Sequence, residues 1–223
     1  MLPKKHSKNI NGFKRLQLES LTHLGEEIDH LIQHISHAQA IESNEISQQY
    51  QELDADNELS EDEKYDIQEG LIDQNEHLKD VLDLTYELAI IALYKKVEIT
   101  TKKAINILYP DINQKSLYRI DFLKKQLKDK EIDIETFTDY KAMNELRLIN
   151  NCIKHSGWVD DKLAAYNDWI EGKPLNYVET TEKSAGDVDI RKLNDIQSAY
   201  KRLNPLCHNY LSDLILEFKN KVL

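Results

Sequence analysis

Leu21-Thr-His-Leu24-Gly-Glu-Glu-Ile28-Asp-His-Leu31-Ile-Gln-His-Ile35-Ser-His-Ala38 is the stretch that decides the architecture. Its apolar residues at 21, 24, 28, 31, 35 and 38 step by 3, 4, 3, 4 and 3, a seam of nearly three heptads. A helix covering 14–54 follows from it. A polar, acidic connection comes next, around Asp54–Ser60. Ser60 then opens a second helix as a capping box, with Glu63 three residues on. That helix reaches Tyr109, where Pro110 stops it. At 1.5 Å per residue it would be about 70 Å long, so a break near Gly70 or a projecting hairpin is expected. The hairpin is the favoured form, its two helices antiparallel and its acidic turn at the tip.

Composition agrees with a helical chain. In 223 residues there are 6 Gly and 4 Pro, with 31% charged residues, too few turn-formers for a β architecture. The net charge of −11 argues against coating nucleic acid by bulk electrostatics, though not against a local basic cleft. Charge is uneven. Residues 1–15 carry Lys4, Lys5, Lys8, Lys14 and Arg15 and no acid, whereas 52–66 carry eight acids against Lys64. Cys152 and Cys207 follow no metal or disulfide spacing and read as reduced, buried thiols of an intracellular protein. The basic N-terminus lacks the apolar core of a signal peptide. The longest apolar run, Leu88 to Tyr94, is too short to span a bilayer, so no membrane association is expected.

The rest of the chain reads as shorter helices. One covers about 115–130, with Leu117, Ile120, Leu123 and Leu127 inward, and another covers 138–156. Between Gly172 and Gly186 lies a small β-hairpin or a lid. A last helix is expected from Val188 to Lys219, with Asp187 as N-cap, Ile190 and Leu193 among its core residues, and a kink at Pro205. The expected organisation is an all-α helical bundle. It has a basic flexible N-terminus (1–13), a long helical hairpin (14–109), and a helical domain (110–223) packed with 78–109.

Chemistry-bearing residues gather in Glu145-Leu-Arg147-Leu-Ile-Asn150-Asn151-Cys-Ile-Lys154-His155-Ser-Gly157. Arg147, Asn151 and His155 recur at i, i+4, i+8 along one stripe, while Leu146, Ile149 and Ile153 form the inward side. Gly157 suits a left-handed C-terminal cap. Arginine grips phosphate oxygens with a planar fork, and histidine moves protons near neutral pH. RNA cleavage needs both: the 2′-hydroxyl loses a proton and the 5′-oxygen gains one. Lys154 could stabilise charge on phosphorus. The plainer alternative is a solvated helix face.

The pattern Glu-Leu-Arg…Asn-Asn-x-x-Lys-His-Ser-Gly resembles the HEPN superfamily, small helical proteins that include RNases and components of toxin–antitoxin and anti-phage systems. Their signature is an arginine, a polar neighbour, and a histidine four to six residues later near a helix end. The segment Ile91–Lys103 resembles the paired helix of such proteins. The resemblance implies a homodimer with two motifs meeting across a cleft, RNA as substrate, and an antitoxin-like protein partner. By it, Arg147 and His155 are the catalytic pair, with Asn150, Asn151, Lys154, Glu98 and Lys102 as substrate-side residues. Seven residues separate Arg147 from His155 here, a departure from the pattern.

Other constellations are weaker. His23, Glu27, His30, His34 and His37 flank the seam, where polar residues ordinarily sit, and no metal site is assigned. Lys95-Lys96, Lys102-Lys103 and the lysines of 124–130 read first as solvated faces. Trp158 and Trp169 read as core. No Gly-rich loop, Cys-x-x-Cys or Gly-x-Ser-x-Gly motif is present, so no cofactor is expected. Two rivals to an endoribonuclease stand: a non-catalytic helical interaction module, and a nucleotide-binding regulator.

Overall fold

The structure is a computed structural model and describes residues 4–22, 26–182 and 188–222. It is an all-α bundle: helices α1 (Lys4–Glu19), α2 (Glu26–Ala55), α3 (Glu61–Leu108), α4 (Ile120–Lys128), α5 (Tyr140–His155), α6 (Asp161–Ala164) and α7 (Ile196–Asn220). Among the described residues one antiparallel strand pair, β1 (Tyr177–Glu182) and β2 (Val188–Leu193), interrupts them. The chain divides into two compact units, residues 26–89 and residues 1–25 with 90–223.

The 26–89 unit is the helical hairpin expected from the heptads, with a shifted seam. Its inward row on α2 is Ile28, Ile32, Ile35, Gln39, Ser43, Ile46 and Leu53; Leu31 is 53% exposed and Ala38 is exposed. The facing row on α3 is Gln68, Leu71, Asn75, Leu78, Leu82, Thr85 and Ala89, again stepping by 3 and 4. Ser43 Oγ donates to Asn75 Oδ1 at 3.2 Å, a polar layer that fixes the register of the pair. Ser60 and Glu63 form the reciprocal capping box: the Ser60 amide reaches Glu63 Oε2 at 2.9 Å, and the Glu63 amide reaches Ser60 Oγ at 3.3 Å. The Ser60 hydroxyl and amide hold the Glu63 carboxyl below its usual range. α3 runs unbroken through Gly70, so the alternative of a break there is not what the chain adopts.

The expected helix over 14–54 is two helices. α1 begins at Lys4, inside the stretch expected to be a flexible tail, and ends in a 3₁₀ turn at Ser20–Thr22. Ser20 Oγ donates to the Gln17 carbonyl at 2.8 Å there, satisfying one of the end carbonyls. Glu26, Glu27 and Asp29 then favour a fresh N-terminus through the helix dipole. Leu24, the second seam residue, and His23 lie outside the described residues.

In the larger unit, α5 and α7 form the centre. α5 buries Met143, Leu146, Ile149 and Asn150; α7 buries Leu203, Cys207, Tyr210, Leu214 and Phe218. Each fully buried aliphatic, Met or Phe side chain among these stabilises by about 1.5–3 kcal/mol. From α3, Ile90, Leu93, Val97, Ala104 and Ile105 are buried too, and Leu18 of α1 is wholly enclosed. Tyr109 meets Phe218 edge-on, with ring centroids 6.3 Å apart.

β1 and β2 pair antiparallel, and Val188–Leu193 is the second strand of that pair rather than the start of the last helix. Val178, Thr180 and Thr181 supply a β-branched partner, a preference that local spacing in 188–193 does not reveal. Ile190 is accordingly 69% exposed, not core. Asn194, at φ 54°, turns the chain, and Asp195 caps α7 in place of Asp187, which lies outside the described residues. α7 then continues through Pro205 without ending. Pro205, which has no amide N–H to donate to the preceding turn, sits at an exposed position.

Candidate functional site

α5 carries the stripe. The helix is continuous from Tyr140 to His155 and closes at Gly157, φ 71°, whose amide donates to the Cys152 carbonyl at 2.8 Å. A continuous helix sets Arg147 and His155 about 12 Å apart along the axis and about 80° apart around it. One chain therefore does not bring the two together.

Arg147 is half-buried. Its Nε and Nη2 both donate to Asn144 Oδ1, at 3.1 and 3.0 Å, and Asn144 Nδ2 donates in turn to the Tyr166 hydroxyl at 2.9 Å. The fork is thus held by a neutral acceptor, and its charge stays uncompensated by that bond. On α3, burial raises the pKa of the Tyr94 phenol, Glu98 adds to the rise, and Arg147 opposes it. Tyr94 therefore lies close enough to feel both the Glu98 carboxylate of α3 and the Arg147 guanidinium of α5. Glu98 itself pairs with Lys102 and, at 3.8 Å, with Lys95.

The remaining predicted residues fall differently. Asn151, four residues on from Arg147, is half-buried. Asn150 is 2% exposed; its Nδ2 lies 3.5 Å from Asn151 Oδ1, and its own Oδ1 meets no donor among the described residues. Lys154 and His155 are exposed at the helix end. Glu98 thus pairs with Lys102, Arg147 is held by Asn144, and His155 is exposed at the end of α5.

A second network was missed by sequence reasoning. Glu145, 4% exposed, accepts Arg202 Nη1 at 3.0 Å and Nη2 at 2.7 Å on its two oxygens, and Trp169 Nε1 at 2.8 Å. Asp168 adds a contact of 3.1 Å to the same guanidinium. Buried Asn194 ties this region together: its Oδ1 accepts the Ile170 amide at 2.8 Å, and its Nδ2 donates to the Pro174 carbonyl at 2.9 Å. An open cleft of 490 Å³ lies beside these residues, rimmed by Arg191, Arg202, Asp168 and Glu179. Its charges are mixed, which selects no ligand class. Asn144 was findable, three residues from Arg147 on one face. Tyr166, Arg202 and Asn194 were not, since their partners are 20 or more residues away.

The other candidates resolve into packing. Trp169 is core and Trp158 is 51% exposed. Both cysteines are free and buried, and burial pushes the Cys207 thiol up to about 12, far from thiolate chemistry. His30, His34 and His37 are exposed. Among the described residues, no helix is long and apolar enough to cross a membrane. Comparison of the chain with protein-family models, with curated proteins and with solved structures finds no match in any of the three.

Proposed function

We propose that this chain is a HEPN-like, metal-independent endoribonuclease that works as a homodimer, in a toxin–antitoxin or anti-phage setting. Arg147 of one copy holds the scissile phosphate, and His155 of the other moves the proton. The observation that supports it most is the fork of Arg147, oriented by a neutral amide and half-buried beside Tyr94. An arginine so placed keeps its full charge for a phosphodiester in a partly desolvated setting. Asn151 and Lys154 line the path along α5 toward His155, and Glu98 keeps Lys102 beside the seam. Two copies are required because about 12 Å of helix separates arginine from imidazole in one. The 2′-hydroxyl gives its proton to a base as its oxygen attacks phosphorus, and the departing 5′-oxygen takes one from an acid. His155 fills either role.

The experiment is incubation of purified protein with mixed RNA in EDTA, alongside its sedimentation as a dimer. Cleavage that persists in EDTA and disappears in His155→Ala supports the reading; equal cleavage by the variant removes it.

A second reading, a non-catalytic HEPN-like interaction module, is favoured by Asn150. Counted back from His155 with four residues between, Asn150 occupies the place where the HEPN pattern has its arginine, and it is buried. RNA recovered at full length from both proteins, with dimerisation intact, selects this second reading.

A further inference from the structure

A groove of 440 Å³ runs beside α3 on a face about 120° from the Arg147 seam, and neither readings of the seam uses it. Its floor is apolar, made by Leu21, Ala92 and Ile99, and its flanks are Lys95, Lys96 and Lys103. Ala92 and Ile99 are seven residues apart, as are Lys96 and Lys103, so floor and flank each repeat every two helical turns, about 10.5 Å. Phe13 and Leu16 of α1, 61% and 67% exposed, share the side of α1 that leads to Ser20 at the groove's edge. Ile99 is itself 39% exposed.

Local charge on this face runs against that of the whole chain, as it also does in 1–15 and 124–130. The chain carries a net charge of −11, yet 92–103 holds four lysines and one acid, Glu98. Glu98 is engaged with Lys102 and Lys95, and Lys103 has no ion pair among the described residues. We propose that the groove docks an amphipathic helix of a partner protein, apolar along one stripe and acidic along its borders. Apolar side chains two turns apart would seat on Ala92 and Ile99, and flanking carboxylates would meet the lysine rows, as at the edges of a coiled-coil seam. A nucleic acid would use the lysines but leave the apolar floor without a role, and among the described residues no aromatic ring lines the groove for base stacking. The acidic helix accounts for both features.

The test uses the full chain and a labelled synthetic peptide of about 20 residues, long enough to hold a helix. It carries leucine at three- and four-residue steps and glutamate on both borders. A control peptide has lysine for every glutamate. The acidic peptide is expected to bind, more weakly at high salt, with the lysine peptide failing. Lys96→Glu/Lys103→Glu should weaken binding by about tenfold or more. Ile99→Ser should weaken it while leaving the salt dependence unchanged. These positions are exposed or half-buried, so unchanged helical content and melting temperature are the folding control. Equal binding of the two peptides, indifference to both variants, or displacement of the peptide by single-stranded RNA that binds Ile99→Ser as well as the parent would overturn the proposal. RNA cleavage assays on the same variants keep this outcome separate from that of the Arg147 seam.

Discussion

Asn144 accepts two hydrogen bonds from Arg147, one from Nε and one from Nη2, while the next residue along the helix, Glu145, accepts two from Arg202. Each arginine is therefore held by two hydrogen bonds, Arg147 on the one oxygen of a neutral amide and Arg202 on both oxygens of a carboxylate. The bonds on Arg147 bring no carboxylate to its fork, whereas Arg202 is paired with Glu145 and with Asp168.

If the neutral acceptor matters, Asn144→Asp should weaken single-stranded RNA binding in EDTA by about tenfold, or 1.4 kcal/mol. The guanidinium would stay in place with its charge cancelled. Arg147→Ala should also lower the slope of log affinity against log salt by about 0.7, the signature of one lost phosphate contact on a single strand. Fluorescence anisotropy across a salt series reads both, and an unchanged slope would show that Arg147 touches no phosphate.

Glu145→Ala should destabilise the fold by about 2–3 kcal/mol, less than the cost of breaking a fully enclosed pair because Arg202 is partly open to solvent. It also strands the Trp169 indole N–H. Urea unfolding gives the number, and a midpoint that does not move would make the network decorative.

Asn194 combines a left-handed backbone with buried hydrogen bonds to Ile170 and Pro174. Asn194→Ala should lose about 2–3 kcal/mol, since it forfeits the bonds and strains the turn. Asn194→Gly should lose about 1 kcal/mol less, because glycine accepts φ 54° freely. Comparing the two melting curves isolates the backbone term.

Asp195 supplies the pH dependence. Burial works to raise its carboxyl pKa, but Ser198, Lys192 and the amides of Ser198 and Gln197 outweigh burial and leave it lowered. A lowered folded-state value means the cap stabilises fully above the unfolded carboxyl's value near 3.9 and is lost as pH falls through the folded one. Asp195→Asn should flatten that part of the acid limb of melting temperature against pH. An unaltered limb would show that other carboxylates govern it.

Much of the helical framework could be read from the residues alone. Ser60 with Glu63 three residues on is a local device, and its geometry needs nothing beyond one helical turn. Gly157 is likewise local, since a left-handed cap excludes most other residues. The seam of α2 was legible as a heptad but not in its phase: Leu31 and Ile32 are equally apolar, and only the row on α3 chose Ile32. Val188–Leu193 was misread for a related reason. A six-residue strand takes its identity from the partner that pairs with it.

Sequence alone determined the all-α class, the helical hairpin with its capped acidic turn, and the gathering of Arg147, Asn150, Asn151, Lys154 and His155 on one short helix. These depend on periodicity and on contacts within a turn or two, where chain connectivity already fixes who meets whom. Tertiary structure alone decided that Arg147 is held by a neutral amide and Arg202 by a buried carboxylate, that Asn150 faces inward, and that His155 is left exposed. Those outcomes depend on which distant segments pack together, and the enclosure that sets burial and charge compensation exists only after they have done so.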